Sequence, residues 1–181
     1  MTSETSDRRS ADLRSADTGQ INRGFGAGLG ELLERGRIHY GLPGTSIREV
    51  LDNFIRAVKV PETVPAQDLL RAVMEREALM PTGAGKGIAI PHPRNPIITG
   101  EEGQFTAMAF LEHDIDWKAL DGKPVNTLIL TVSASAQFHL KILSVISFFC
   151  QDEKFIRLLG ERASEEKIIG YIKQTEKEWR Q

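Results

Sequence analysis

Residues 85–94, GKGIAIPHPR, decide how this chain is to be read. The front half sets glycines around a lysine, as a phosphate-cradling loop does. The back half is a short apolar run, Ile88-Ala89-Ile90, halted by Pro91 and followed at once by His92. A phosphate loop needs a glycine five residues before its Gly-Lys pair and a Ser or Thr after it, because glycines admit phosphate and the hydroxyl holds the metal. Here Met80 and Gly87 stand in those places, and the stretch leads into a strand where such a loop would open a helix. What remains is a strand stopped by a proline, which interrupts the ladder and turns the chain outward with an imidazole just beyond.

Helices flank this strand. Ser46 and Glu49 form an S-x-x-E capping box ahead of Ile47, Val50, Leu51, Phe54, Ile55 and Val58, whose spacing traces one helical stripe. Pro61 and Pro65 end that helix and introduce another over residues 66–79, with Leu69, Leu70, Val73 and Met74 facing the core and Arg76 near its end. Before both, residues 30–44 read as a short helix and a turn. Residues 104–111 and 125–133 are two further strands, separated by the turn-rich ALDGKPV. FHLKILSVISFFC, residues 138–150, is apolar on nearly every side and predicts a buried helix. Ser164 caps a final amphipathic helix, EEKIIGYIKQTE. This order predicts an α/β domain whose sheet is covered by helices.

With 181 residues, 40% of them hydrophobic, the chain has material for one sizeable core. That core is expected in a single domain over residues 28–181. Residues 1–27 are polar and then glycine-rich, with too little to bury to offset their ordering entropy, and read as a flexible tail. A net charge of −2 gives no electrostatic footprint for nucleic acid. The lone Cys150 cannot form an internal disulfide and suits a reducing compartment. No apolar run approaches the roughly 18 to 20 residues of a membrane span, and the N-terminus lacks the apolar core of a secretory signal. A cytoplasmic protein without membrane insertion is expected.

The four histidines, His39, His92, His113 and His139, show no i, i+4 pair and no cysteine partner, so no metal is expected. Ser133, Ser135 and Asp121 contain the residue types of a hydrolase triad, without a nucleophile elbow. His113, in LEHDIDW, reads as part of a solvated strand end. His92 is more specific. An imidazole with a pKa near ~6.5 is largely neutral at pH 7, leaving a lone pair for nucleophilic attack. Phosphoryl transfer pairs such a nucleophile with cations or donors for the equatorial oxygens. Arg76 offers a planar, always charged fork. His139 stands at the start of the buried helix, where the macrodipole favours an anion. These residues alone leave open a plainer role for His92, a loop histidine packed between Pro91 and Pro93.

REALMPTGAGKGIAIPH, residues 76–92, resembles the active-site signature of the type IIA domains of the bacterial phosphoenolpyruvate-dependent phosphotransferase system. The likeness is to the fructose/mannitol branch, and within it to the nitrogen-regulatory members. DGKPVNTLILTVSASAQFHLKILSVI, residues 121–146, resembles the second block of the same family, and the likeness extends over residues 28–176. It implies a mixed β-sheet sandwiched between helices. It also implies that His92 is the phosphorylated histidine, that His139 orients the phosphohistidine, and that Arg76 neutralises the phosphate. The partners implied are a histidine phosphocarrier protein upstream and an unidentified regulatory target downstream, with no metal, nucleotide or other cofactor. A freestanding chain of this kind is expected to regulate rather than import sugar, the alternative being a docking module of the same fold with little phosphotransfer. One departure stands out. Most members carry glycine after the histidine, whereas this chain continues Pro93, Arg94, Asn95, Pro96, a stiffer and cationic rim.

Overall fold

The computed structural model of the chain describes residues 26–179. The first 25 residues, nearly all of the predicted tail, lie outside the described residues. In chain order the elements are α1 (Leu29–Gly36), β1 (Ile38–Leu42), α2 (Ile47–Ala57), α3 (Ala66–Leu79), β2 (Gly83–Gly85), β3 (Ile88–Ala89), β4 (Phe105–Ile115), β5 (Val125–Val132), α4 (Ala136–Phe149), α5 (Glu153–Gly160) and α6 (Glu165–Glu178). The sheet runs β1-β4-β5-β3-β2. β4 and β5 pair antiparallel at its centre, β1 and β3 flank them in parallel, and β2 returns antiparallel to β3.

Side chains alternate across a strand, and here each set meets its own helices. Ala107, Ala109 and Leu111 of β4 join Leu128 and Leu130 of β5 in a core closed by α2 and α3. Met108, Phe110 and Ile129 point the other way, into a core closed by α1, α4, α5 and α6. A sheet buried on both faces shows continuous apolar strands, which is why 105–111 and 128–132 carry so little polarity. The fold is the mixed, helix-sandwiched sheet expected.

Local chemistry explains both the matches and the differences. Ser46 Oγ accepts from the Glu49 amide at 3.2 Å, as a cap should, but the Glu49 carboxylate accepts from Thr45 N and Oγ1 instead of closing the box on Ser46. The stretch read as a turn after the first helix is β1. Gly36 ends α1 against the β4 backbone, where an added Cβ would lie 2.3 Å from the Thr106 carbonyl oxygen, and this close approach delivers residues 38–42 into the sheet. α5 is an element beyond the sequence reading; Asp152 caps it by accepting from the Phe155 amide at 2.7 Å. α4 is less enclosed than its composition predicts, for Leu140 is 67% exposed. Toward the end of β4, Glu112, His113 and Asp114 are solvated as expected, yet just past the strand Trp117 is fully buried.

The glycines of the opening stretch answer to a hairpin. Gly85, Lys86 and Gly87 have φ of 85°, 55° and 77°, three successive left-handed residues that reverse the chain between β2 and β3. The Asp121 carboxylate accepts from the Lys86 amide at 2.8 Å and braces the turn. Backbone geometry, and not a phosphate-cradling role, accounts for these glycines.

Candidate functional site

β3 is short because proline follows it. Its pairing with β5 nonetheless persists, since Pro91 keeps its carbonyl and accepts from the Thr131 amide at 3.3 Å. His92 therefore leaves the sheet at a fixed point. Its Nδ1 lies 2.7 Å from the Ile90 carbonyl oxygen. A carbonyl only accepts, so Nδ1 carries the proton and Nε2 holds the lone pair. On that side the Arg76 Nε–H donates to His92 Nε2 at 3.2 Å, and Arg76 Nη1 donates to the Met80 carbonyl at 2.8 Å. The last turn of α3 thus holds a guanidinium against the free nitrogen of the ring.

The second histidine arrives from the other helical layer. The His92 and His139 ring centroids are 4.9 Å apart at an interplanar angle of 50°. His139 does not open α4. The helix begins at Ala136 with Ser135 as N-cap, and the His139 amide already donates to the Ser135 carbonyl at 3.0 Å. What His139 brings is its ring, within reach of the positive end of the α4 dipole.

Burial sets the charge state of the pair. It lowers the pKa of His92, 7% exposed, with the nearby Arg76 charge adding to the effect and the Ile90 hydrogen bond partly offsetting it. His139 is pushed down to about 4, first by burial and then by His92 and Arg76. Two neutral imidazoles therefore lie beside a fixed cation at neutral pH.

The fold brings His92, His139 and Arg76 together. Pro93, Arg94, Asn95, Ser133, His139 and Leu140 help line an adjoining cavity of about 210 Å³. Leu79 and Met80, at the end of α3, and Leu140, beside His139, are largely exposed. The other candidates lie apart or serve the scaffold. Asp121 accepts from the Lys86 and Lys123 amides in the hairpin region, Ser135 caps α4, and His39 packs edge-on against Phe54, so among the described residues no Ser-His-Asp triad assembles. Among the described residues, no group of three His, Cys, Asp or Glu side chains is placed to hold a metal.

Sequence reasoning missed a buried carboxylate beside Arg76. Glu77 Oε1 accepts from Trp117 Nε1 and from the Thr82 amide, and Oε2 from Thr82 Oγ1, each at 2.7 Å. A signal existed: Glu77 continues the i, i+4 row of Leu69 and Val73, both core residues.

Comparison with known proteins bears on the family and the fold. The nitrogen regulatory protein of Pseudomonas aeruginosa is 36% identical over 123 residues, covering 66% of this chain and 77% of that protein. The fructose-specific EIIABC component of Bacillus subtilis is 29% identical over 152 residues, 81% of this chain but only 23% of that larger protein. The crystal structure of nitrogen regulatory protein IIA-Ntr from Neisseria meningitidis superposes with a TM-score of 0.68 over 79% of this chain and 97% of its own; at 23% identity it speaks for the fold. Residues 31–175 match the family described as phosphoenolpyruvate-dependent sugar phosphotransferase system, EIIA 2. With four-fifths of its length inside that match, the chain belongs to the EIIA type-2 family of the phosphotransferase system.

Proposed function

We propose that the protein carries a phosphoryl group on Nε2 of His92, received from a histidine phosphocarrier protein, and that it acts as a regulator. The observation that carries this reading is the fastening of the His92 ring, proton on Nδ1 toward Ile90 and lone pair on Nε2 toward Arg76. A docked carrier presents its phosphohistidine at the site. The Nε2 lone pair attacks phosphorus in line, the carrier's N–P bond breaks, and the departing imidazole keeps that electron pair. One phosphoramidate replaces another, so transfer potential is retained and the step is reversible. Arg76 must release Nε2 as the bond forms, and its fork then faces the phosphoryl oxygens, where charge-assisted hydrogen bonds are strongest. The arriving negative charge also opposes the lowering of the His139 pKa, turning that ring toward donation. Leu79, Met80 and Leu140 offer the carrier an apolar rim around this polar centre.

The regulatory part rests on kinship with the nitrogen regulatory protein of P. aeruginosa. A second reading, a docking module with little transfer, is favoured by the rigid cationic rim of Pro93, Arg94 and Pro96. Intact-mass spectrometry at mildly alkaline pH, after incubation with phosphoenolpyruvate, enzyme I and the phosphocarrier, separates them. Phosphotransfer predicts a carrier-dependent, acid-labile gain of one phosphoryl group. No gain on folded protein would leave the docking module.

A further inference from the structure

Both nitrogens of the His92 ring are controlled from one helix end. Arg76 reaches Nε2 directly. Its neighbour Glu77 points into the core and takes both donors of Thr82, the amide and the hydroxyl, while holding the Trp117 indole with the oxygen that accepts the amide. The carbonyl of Thr82 in turn accepts from the Ile90 amide at 3.1 Å, and the carbonyl of Ile90 accepts from His92 Nδ1. Trp117, Glu77, Thr82, Ile90 and His92 therefore form one continuous hydrogen-bonded path that ends on the nucleophile. Glu77 is 7% exposed and Trp117 fully buried, so the carboxylate has little water to substitute for a lost donor.

We propose that Glu77 and Thr82 are positioning residues that hold His92 in its Nδ1–H tautomer. The physical reason is geometric. A peptide carbonyl selects the tautomer only while it stays within hydrogen-bond reach of Nδ1, and the Ile90 carbonyl is placed by a peptide that Thr82 anchors. Thr82 itself follows a proline and precedes the left-handed hairpin, so the two bonds to Glu77 are what fix it to the helix carrying Arg76. Released from that anchor, the Ile90 carbonyl drifts, Nε2–H becomes competitive, and the lone pair needed for attack is lost in part of the molecules. Misplacement of this size typically costs transfer rate without abolishing binding.

The rate effect rests on the phosphotransfer reading above, whereas the tautomer effect does not. The test therefore uses the full chain with ¹⁵N-labelled histidine, reading the His92 ring nitrogens by long-range proton–nitrogen NMR at neutral pH. Wild type is expected to show the Nδ1–H pattern alone. Thr82→Val keeps shape but loses the hydroxyl donor, and is expected to show both tautomers with phosphoryl acceptance slower by on the order of tenfold. Thr82→Ser should restore the wild-type pattern and rate. Should Thr82→Val fail to fold, Thr82→Ala carries the same test, since it removes the hydroxyl donor without setting a second methyl against the Glu77 carboxylate. A folded variant lacking the Thr82 hydroxyl that keeps the wild-type ring pattern would overturn the proposal, whatever its rate. If wild type accepts no phosphoryl group, phosphotransfer fails, and the ring pattern still decides whether Glu77 and Thr82 set the tautomer.

Discussion

The strand end that carries His92 and the helix start that carries His139 place two imidazoles 4.9 Å apart, yet fasten them differently. His92 is engaged at both ring nitrogens, by the Ile90 carbonyl and by Arg76. The His139 ring is half-buried and has no hydrogen bond among the described residues; its contact is the His92 ring itself. A nucleophile must present one defined lone pair, so its other nitrogen has to be fixed. A group that answers to charge arriving on its neighbour needs a free nitrogen. The contrast fits the different duties proposed for two residues of one type, His92 as the nucleophile and His139 as the group that answers to its charge.

Substitutions on the two sides measure that division. Arg76→Ala removes the guanidinium that donates to Nε2 and is expected to slow phosphoryl acceptance by on the order of 10²-fold, the usual loss for a donor to developing charge. His139→Ala should cost about tenfold, the value of one ordinary hydrogen bond. Single-turnover kinetics with the phosphorylated carrier checks both. Equal losses would erase the distinction between the two sides.

A smaller effect appears in stability. The folded-state pKa of His139, about 4, lies below its ordinary 6.5, and that of His92 is lowered as well. Between those values the unfolded chain binds more protons than the folded one. Stability should therefore fall as pH drops from about 6.5 to about 4, then lose nothing further from this source. Thermal melting across the window is expected to show a shallower fall for His139→Ala than for wild type. Identical slopes would mean that His139 is not held neutral by its surroundings.

The fold was legible where periodicity was long. The stripe from Ile47 to Val58 and the apolar runs at 104–111 and 125–133 mark α2, most of β4 and β5, although β4 continues four residues further, to Ile115. β1 escaped notice because its five residues, Ile38–Leu42, contain a glycine and follow a helix directly, and because its place depends on Gly36 packing against the β4 backbone. α5 escaped because eight residues carry too few turns to display a stripe beside the longer α4. At the site, His92, His139 and Arg76 were reached through proline punctuation and family likeness. Glu77 was not. A carboxylate near a helix end reads as solvated, and only the fold brings Trp117 and Thr82 to it, the former 40 residues away in sequence.

Locating the phosphoryl group tests the central claim most directly. ¹⁵N–³¹P NMR on carrier-phosphorylated, histidine-labelled protein reads the nitrogen bonded to phosphorus. The account predicts one phosphoramidate, on Nε2 of His92, with its Nδ1 still protonated toward Ile90. Phosphorus on Nδ1 of that ring, or on His139, would contradict it.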